Sequence, residues 1–153
     1  MIMSWKTLTL VVILAALALM AYIRLAPSDP RAWHISVATQ DPIPQGPCAD
    51  HIALVAKGAR AACILPLTPA AVLDKLEAIA LTSPRTLHLA GSAAEGRITW
   101  VSRSFLMGYP DYITAEVAQT ARGTRLDIFS RQRFGEADLG VNAARLKDWL
   151  AQL

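Results

Sequence analysis

The stretch that decides the fold is residues 97–134, RITWVSRSFLMGYPDYITAEVAQTARGTRLDIFSRQRF. Its three runs rich in β-branched and aromatic residues are typical of β-strands, and Arg122-Gly123 marks a turn between the last two. Links this short join antiparallel neighbours, because parallel strands need a longer crossover. RTLHLAG at residues 85–91 and RAACILPL at residues 60–67 are also strand-like. The chain is therefore predicted to contain an antiparallel sheet of four or five strands.

Two helices are predicted to accompany this sheet. The first starts at Thr68-Pro69, because a threonine hydroxyl caps free backbone amides and proline suits the first helical position. Apolar residues recur at helical spacing to about Leu81, and Ser83-Pro84 ends the helix. The second helix is predicted from about residue 139 to residue 151. Its apolar stripe consists of Leu139, Leu146, Trp149, Leu150 and Leu153. The predicted fold class is α+β, with both helices packed on one face of the sheet.

Residues 1–25 are predicted to form an uncleaved signal-anchor. Residues 8–23, LTLVVILAALALMAYI, carry no charge and would span about 24 Å as a helix, short of a hydrocarbon core of about 30 Å. Amphipathic residues extend the span, and the predicted interface anchors are Trp5, Lys6, Tyr22 and Arg24. A cleaved signal peptide is the alternative, but we find no convincing small-x-small cleavage site. A buried helix of a soluble domain is disfavoured, because no face of the segment is polar.

Residues 26–50 are predicted to be a proline-rich stalk, with a short strand as an option at residues 33–37, and residues 51–153 the domain. A short N-terminal tail before a larger domain suits a single-pass protein of the bacterial inner membrane, with the domain in the periplasm. Cys48 and Cys63 are candidates for a disulfide worth about 3 kcal/mol. A metal site that uses His51, or two buried thiols, are the alternatives. We expect no metal and no cofactor.

Several function classes lack their signature in this chain. The net charge is +3, and no run of basic residues is interleaved with aromatic ones, so we expect no nucleic-acid partner. The sequence contains neither a G-x-S-x-G nucleophile motif nor a glycine-rich phosphate loop. The sequence therefore contains no recognised motif for nucleophilic catalysis or for nucleotide binding.

Polar residues cluster in residues 124–134 and in the helix that follows. In a strand, period two would place one set on one face: Arg125, Asp127, Phe129, Arg131 and Arg133. The other set would face the helices: Leu126, Ile128, Ser130, Gln132 and Phe134. Arg103 and Asp111, on preceding strands, are candidates for the first face.

The start of the last helix continues this cluster. Asp138 is predicted to cap the amides of Gly140 and Val141. Asn142 interrupts the apolar stripe and needs polar partners, and Arg145 lies one turn further on. In one interpretation a single polar network holds the helix against the sheet, and its members are Arg131, Arg133, Asp138, Asn142 and Arg145. In the other, the guanidinium groups and the helix N-terminus bind an anion or a lipid headgroup. Arg103 and Asp127 are the remaining candidates for the polar latch or for the anion or headgroup site.

The same residues carry a family resemblance. FSRQRFGEADLGVNAARLKDWL, residues 129–150, resembles the C-terminal signature of the domain of unknown function 1499 family, in which an arginine-rich strand precedes D-L-G-V-N and a basic helix. SRSFLMGYPDYITAEV, residues 102–117, is similar to the middle of that family. QGPCADH, residues 45–51, matches its early cysteine motif only loosely. The resemblance implies one domain in an uncharacterised bacterial membrane-anchored or exported protein, and it supplies no catalytic residues.

These observations favour a non-enzymatic accessory or assembly subunit of an inner-membrane protein complex, with the membrane as one partner. The alternative is a module that binds a lipid or another small apolar ligand between sheet and helices. The third hypothesis is an enzyme that uses the Arg/Asp/Asn cluster on a phosphorylated or carboxylated substrate.

Overall fold

A computed structural model of the protein describes residues 4–43 and 46–153. The helices are α1 (Trp5–Leu25), α2 (Pro30–Trp33), α3 (Pro69–Thr82) and α4 (Val141–Leu150). The strands are β1 (Ile52–Val55), β2 (Gly58–Leu65), β3 (Thr86–Ser92), β4 (Arg97–Arg103), β5 (Pro110–Thr120) and β6 (Gly123–Gln132). A single 3₁₀ turn, Cys48–Asp50, precedes β1.

The six strands form one antiparallel sheet in the order β1-β2-β6-β5-β4-β3. The predicted hairpin around Arg122-Gly123 is confirmed, because β5 and β6 pair continuously from Asp111 opposite Gln132 to Thr120 opposite Gly123. The predicted α+β class is also confirmed, with six strands where at most five were expected. That additional strand is β1, a four-residue edge strand whose composition does not alternate.

The helices α3 and α4 cover one face of the sheet, as predicted. The Thr68 hydroxyl accepts a hydrogen bond from the amide of Ala71 at 3.3 Å, which is the predicted cap. Trp100 of β4 packs edge-on against Trp149 of α4, with ring centroids 5.5 Å apart. The buried core between sheet and helices includes Val72, Leu73, Leu76, Ile113, Leu126, Ile128 and Leu146.

The start of α4 differs from the prediction. The helix begins at Val141, two residues later than expected, and Leu139 lies outside it with φ of 52° and 95% of its surface exposed. Placing Leu139 in the apolar stripe was therefore wrong, although Leu146, Trp149 and Leu150 are buried as expected. The spacing of Leu139 fits a helix, but Leu139 and Gly140 both have left-handed φ values, 52° and 81°, so the helix cannot begin before Val141.

The opposite face of the sheet is covered by residues 26–42, part of the segment predicted to be a stalk. Trp33 stacks on Tyr112 of β5 with ring centroids 3.8 Å apart, and Val37 is buried. Residues 33–37 form no strand: α2 ends at Trp33 and irregular backbone follows. The domain thus has three layers, of which the third is an irregular segment.

The helix α1 is long and apolar enough to cross a membrane. Its side chains are almost all exposed, and Ile23, in its last turn, is its one buried residue. The contact between α1 and the rest of the protein therefore lies at its C-terminal end.

Candidate functional site

The sheet divides the polar residues that the sequence placed in one network. Along β6 the side chains alternate, so that Ser130 contacts α4 and Arg131 contacts the segment on the opposite face. The helix side holds Asp138, Asn142 and Arg145, and the other side holds Arg103, Asp127, Arg131 and Arg133. A single network that joins Arg131 and Arg133 to α4 was therefore a wrong prediction, because the sheet lies between them. The predicted alternation of residues 125–133 is confirmed, but Asp111, a candidate for the face of Arg131, lies on the helix side and pairs with Arg145.

Asn142 joins α4 to the middle of the sheet. Its side-chain oxygen accepts hydrogen bonds from the Ser130 hydroxyl and, at 2.7 Å, from Nη1 of Arg145. Nη2 of Arg145 donates to Asp111 at 3.0 Å, which ties the helix to β5 as well. Burial raises the pKa of Asp111 against the opposing effect of Arg145. Since Asn142 is fully buried, these contacts supply the partners that its side-chain oxygen requires.

Asp138 caps the first turn of α4. Its carboxylate accepts hydrogen bonds from the amides of Gly140 at 3.1 Å and Asn142 at 3.0 Å. The sequence predicted Gly140 and Val141, but the Val141 amide binds the main-chain oxygen of Asp138 instead. Burial opposes ionisation, yet the hydrogen bonds from Asn142 and Gly140 hold the pKa of Asp138 below its usual value.

Three arginines on the opposite face bind the backbone that follows α1, and we call Arg103, Arg131 and Arg133 the arginine clamp. Arg103 donates to the carbonyls of Ile23, Ala26 and Gly108, Arg133 to that of Pro27, and Arg131 to that of Trp33. An irregular segment cannot pair its own carbonyls, and guanidinium groups carry enough donors to do so. The clamp therefore attaches the end of α1 and the following residues to the sheet.

Arg131 is the most buried member of the clamp. Its guanidinium lies over the rings of Trp33 and Phe129, at 5.6 and 5.1 Å from their centroids. Loss of water, together with the nearby Arg60, lowers the pKa of Arg131 to about 10, which leaves the group charged at neutral pH. Trp33 thus contacts both this cation and the ring of Tyr112, which lies opposite Arg131 in the strand register.

Two carboxylates on the same face bind amides of the covering segment. Glu116 accepts hydrogen bonds from residues 36–38 at 2.8 to 3.2 Å. Burial would raise the pKa of Glu116, but these hydrogen bonds lower it below the usual value. Asp127 accepts from the amide and hydroxyl of Thr39 and pairs with Arg125 at 2.5 Å. The predicted candidate Asp127 thus serves the attachment of this segment.

The last turn of α1 touches the loop between β4 and β5. Arg24 donates to the main-chain oxygens of Leu106 at 2.6 Å and Phe105 at 3.2 Å. The ring of Tyr22 packs edge-on against Phe134, with centroids 6.4 Å apart. Two of the predicted interface anchors, Tyr22 and Arg24, therefore also contact the domain, whereas Trp5 and Lys6 lie exposed in the first turn of α1.

A cavity of about 510 Å³ lies where α1 meets the domain. Its apolar wall includes Leu19, Tyr22, Ile23, Tyr109, Phe134 and Leu139, and its polar groups include Asp111, Gln132 and Asp138. This volume falls within the range of small-molecule sites. The space between the sheet and the helices is instead filled by buried side chains such as Leu73, Leu76 and Trp100.

The cysteines form a disulfide. Cys48 and Cys63 are bonded, with their Cα atoms 5.2 Å apart, and both are buried beside the helix-covered core. Because both sulfur atoms are in this bond, neither is available as a metal ligand. In the part of the chain that the structure describes, no group of three or more His, Cys, Asp or Glu side chains is placed to hold a metal ion.

Some contact residues carried no clear signal in the sequence. Ser130 is the exception, because the strand period predicts that it faces the helices, where Asn142 needs a polar partner. Glu116 lies opposite Asp127 in the register, but two of its partners are the main-chain amides of Val37 and Ala38, which no side-chain pattern identifies. Trp33 was assigned to the predicted stalk, and only the fold brings it to Tyr112.

Comparison with known proteins identifies the family. The family model for the protein of unknown function DUF1499 matches residues 36–153. No curated protein and no solved structure matches the chain. Because the match covers most of the chain, the protein belongs to the DUF1499 family, as the resemblance of its C-terminal residues predicted.

Proposed function

We propose that this member of the DUF1499 family is a non-enzymatic accessory or assembly subunit of a bacterial inner-membrane complex. In this proposal α1 is the single span and the domain lies on the periplasmic side. The observation that carries the proposal is the arginine clamp, because it holds the domain directly at the end of α1. A domain fixed in this way would present the same surface to neighbouring membrane proteins in every copy.

The clamp removes the free length that a linker would otherwise provide. Arg103 binds the carbonyl of Ile23, still within α1, and that of Ala26, immediately after it. Arg133 binds the next carbonyl, that of Pro27, at 2.6 Å. An unattached linker would let the domain sample a range of distances and orientations. The attached segment instead couples the orientation of the domain to that of the span.

The use of the charged groups supports a non-enzymatic role. The clamp arginines donate to main-chain carbonyls, and Arg145 donates to Ser130, Asn142 and Asp111. Arginines that stabilise a transition state direct their donors at the reacting group. In this domain the hydrogen bonds of these arginines are directed at the protein's own chain, although Nη1 of Arg131 is buried without a partner. The disulfide supports the periplasmic placement, since such bonds persist in oxidising compartments.

The test is purification of the full-length protein in mild detergent, followed by mass spectrometry of co-purifying proteins and lipids. We expect a membrane protein at stoichiometric yield. Arg133→Gln should reduce that yield several-fold, because it frees Pro27 from the sheet. Arg122→Gln, an exposed change in the turn between β5 and β6, is the matched control and should leave the yield unchanged. A free monomer without any stoichiometric partner would contradict the proposal.

The cavity at the end of α1 favours a second candidate function, the binding of a lipid or another amphiphile. Its apolar wall would take the hydrocarbon part, and Gln132, Asp111 and Asp138 would face the polar part. Ala137→Phe would fill part of the cavity, and Ala121→Phe in the β5–β6 turn is the control. A lipid retained by the wild type and by Ala121→Phe, but lost from Ala137→Phe, would support this function. Its retention by all three proteins, or by none, would count against it.

A further inference from the structure

Three large apolar side chains are exposed beside the end of α1. Phe105 and Leu106, in the loop between β4 and β5, are 78% and 71% exposed, and Leu139, before α4, is 95% exposed. Single exposed apolar residues are common on protein surfaces, but grouped ones mark contact sites. We call residues 104–109, in the loop between β4 and β5, and residues 134–141, which lead into α4, together the apolar rim.

Packing within the domain does not explain why a leucine stands at position 139 of the rim. Its φ of 52° lies in the left-handed region, which leucine rarely adopts. Glycine or asparagine is the usual residue in such a conformation. Here a leucine occupies the position, and its side chain is almost fully exposed rather than packed in the core. An apolar partner outside the domain would account for this residue.

The rim is continuous with the last turns of α1. Arg24 binds the main-chain oxygens of Phe105 and Leu106. Leu139 shares a cavity wall with Leu19 and Tyr22 of α1. The level at which α1 would leave the hydrocarbon is therefore also the level of the rim.

The charges near the rim match the surface of a bilayer. Arg85 lies over the ring of Phe105 at 5.5 Å, and Arg133 lies over the ring of Phe134 at 5.1 Å. Together with the exposed Arg24, they place guanidinium groups beside apolar side chains, as is common where proteins meet lipid headgroups. The opposing charges in the rim are Glu136, which is exposed, and Asp138, whose carboxylate accepts hydrogen bonds from the amides of Gly140 and Asn142.

We propose that the apolar rim is a second membrane contact, immersed in the headgroup and upper acyl region of the leaflet from which α1 emerges. The inference rests on the proposed membrane anchoring by α1. The bilayer is the occupant that the observations favour, because the rim adjoins the predicted span and carries interfacial arginines. A protein partner on the same surface is the outcome that the experiment must separate from it.

The experiment uses the purified full-length chain in vesicles of phosphatidylcholine and phosphatidylglycerol in equal amounts, without any other protein. Single cysteines carry an environment-sensitive fluorophore, and the native cysteines are protected by their disulfide. Leu139→Cys and Leu106→Cys report the rim, Leu14→Cys reports the middle of α1, and Ala121→Cys reports the opposite end of the domain. Quencher groups on the lipid acyl chains then measure contact with the bilayer.

We expect strong quenching and blue-shifted emission for the two rim probes and for the Leu14 probe, and neither for the Ala121 probe. A quenched Leu14 probe with rim probes that behave like the Ala121 probe would overturn the rim contact and leave the anchoring intact. That pattern is also expected if a protein partner normally covers the rim. An unquenched Leu14 probe would overturn the anchoring and this inference with it.

A second variant separates membrane contact from folding. Leu139→Asn keeps a residue that tolerates the left-handed conformation but removes the apolar side chain. We expect a thermal midpoint equal to or above that of the wild type, since asparagine suits this conformation better, and a clear loss of quenching at the Leu106 probe. Ala121→Asn is the control and should change neither. Full quenching of the Leu106 probe in Leu139→Asn would contradict the role assigned to Leu139.

Discussion

The two faces of the sheet are covered in different ways. On one face, α3 and α4 satisfy most of their own backbone groups, so they are held mainly by apolar contacts around Trp100 and Trp149. On the other face, residues 26–42 are largely irregular and cannot pair their own amides and carbonyls. The sheet therefore supplies arginines for the carbonyls and Glu116 and Asp127 for the amides. In this domain the segment-covered face of the sheet is charged because the irregular segment needs side-chain partners for its amides and carbonyls.

The largest effect is expected on the helix-covered face. Trp100→Ala should lower the free energy of unfolding by about 3–5 kcal/mol, because a fully buried indole is replaced by a cavity. Denaturant unfolding of the detergent-solubilised chain measures this loss. Leu87→Ala, at a leucine that is exposed on β3, is the control and should change the stability by about 0.5 kcal/mol or less. Equal effects of the two variants would refute the assignment of the main core to this face.

Removal of the disulfide should have the next largest effect. Cys48 and Cys63 are 15 positions apart, and closing a loop of that length stabilises by about 3 kcal/mol in the chain-entropy model. The double variant Cys48→Ala/Cys63→Ala should unfold at a correspondingly lower denaturant concentration. A reductant should shift the wild type in the same direction and leave the double variant unchanged. The same midpoint for all samples would show that the bond contributes little.

Arg131→Leu tests the segment-covered face. The variant should lose about 2 kcal/mol, because the Trp33 carbonyl loses a charged donor while the cost of burying the guanidinium is relieved. Hydrogen exchange should speed up at residues 34–39 and stay slow in β6. Arg122→Leu, at an exposed turn, is the control. Faster exchange across the whole sheet would mean that Arg131 supports the core instead of the cover.

The smallest effect is expected from acid titration of Glu116. Its pKa is lowered in the folded protein, so its stabilising contribution is complete above the unfolded value of 4.5 and is lost as the pH falls through the lower folded value. Glu116→Gln should lower stability by about 1 kcal/mol at neutral pH and flatten its acid dependence. Asp138 has a shift of the same sign on the other face, so only the difference between variant and wild type isolates Glu116. Parallel pH profiles of the two proteins would exclude this role.

The local features of the fold were predictable from the sequence. The alternation along β6 placed Leu126 and Ile128 toward the helices, and Thr68-Pro69 located the start of α3. These signals depend on residues close in the chain, where strand and helix periods apply. Leu139 is an exception: its spacing fits the stripe of α4, but left-handed φ angles at Leu139 and Gly140 keep it out of the helix, and it lies exposed.

The candidate site was predictable only in part. The sequence indicated that Asn142 needs a polar partner near the end of β6, and that partner is Ser130. It also named the arginines of the clamp, but assigned Arg131 and Arg133 to α4. Their actual partners lie 98 and 106 positions away along the chain. A main-chain carbonyl is present in every residue, so no side-chain pattern identifies it as a partner.

The sequence by itself determined the α+β class, the antiparallel hairpins, a helix apolar enough to span a membrane, and membership of the family. Each follows from composition, period or a contiguous motif, which local physics translates into structure. Only the tertiary structure decided that residues 26–42 cover the second face of the sheet and that the clamp binds the end of α1. Those contacts join unpaired backbone groups to distant side chains, and their partners are fixed only when the sheet has formed.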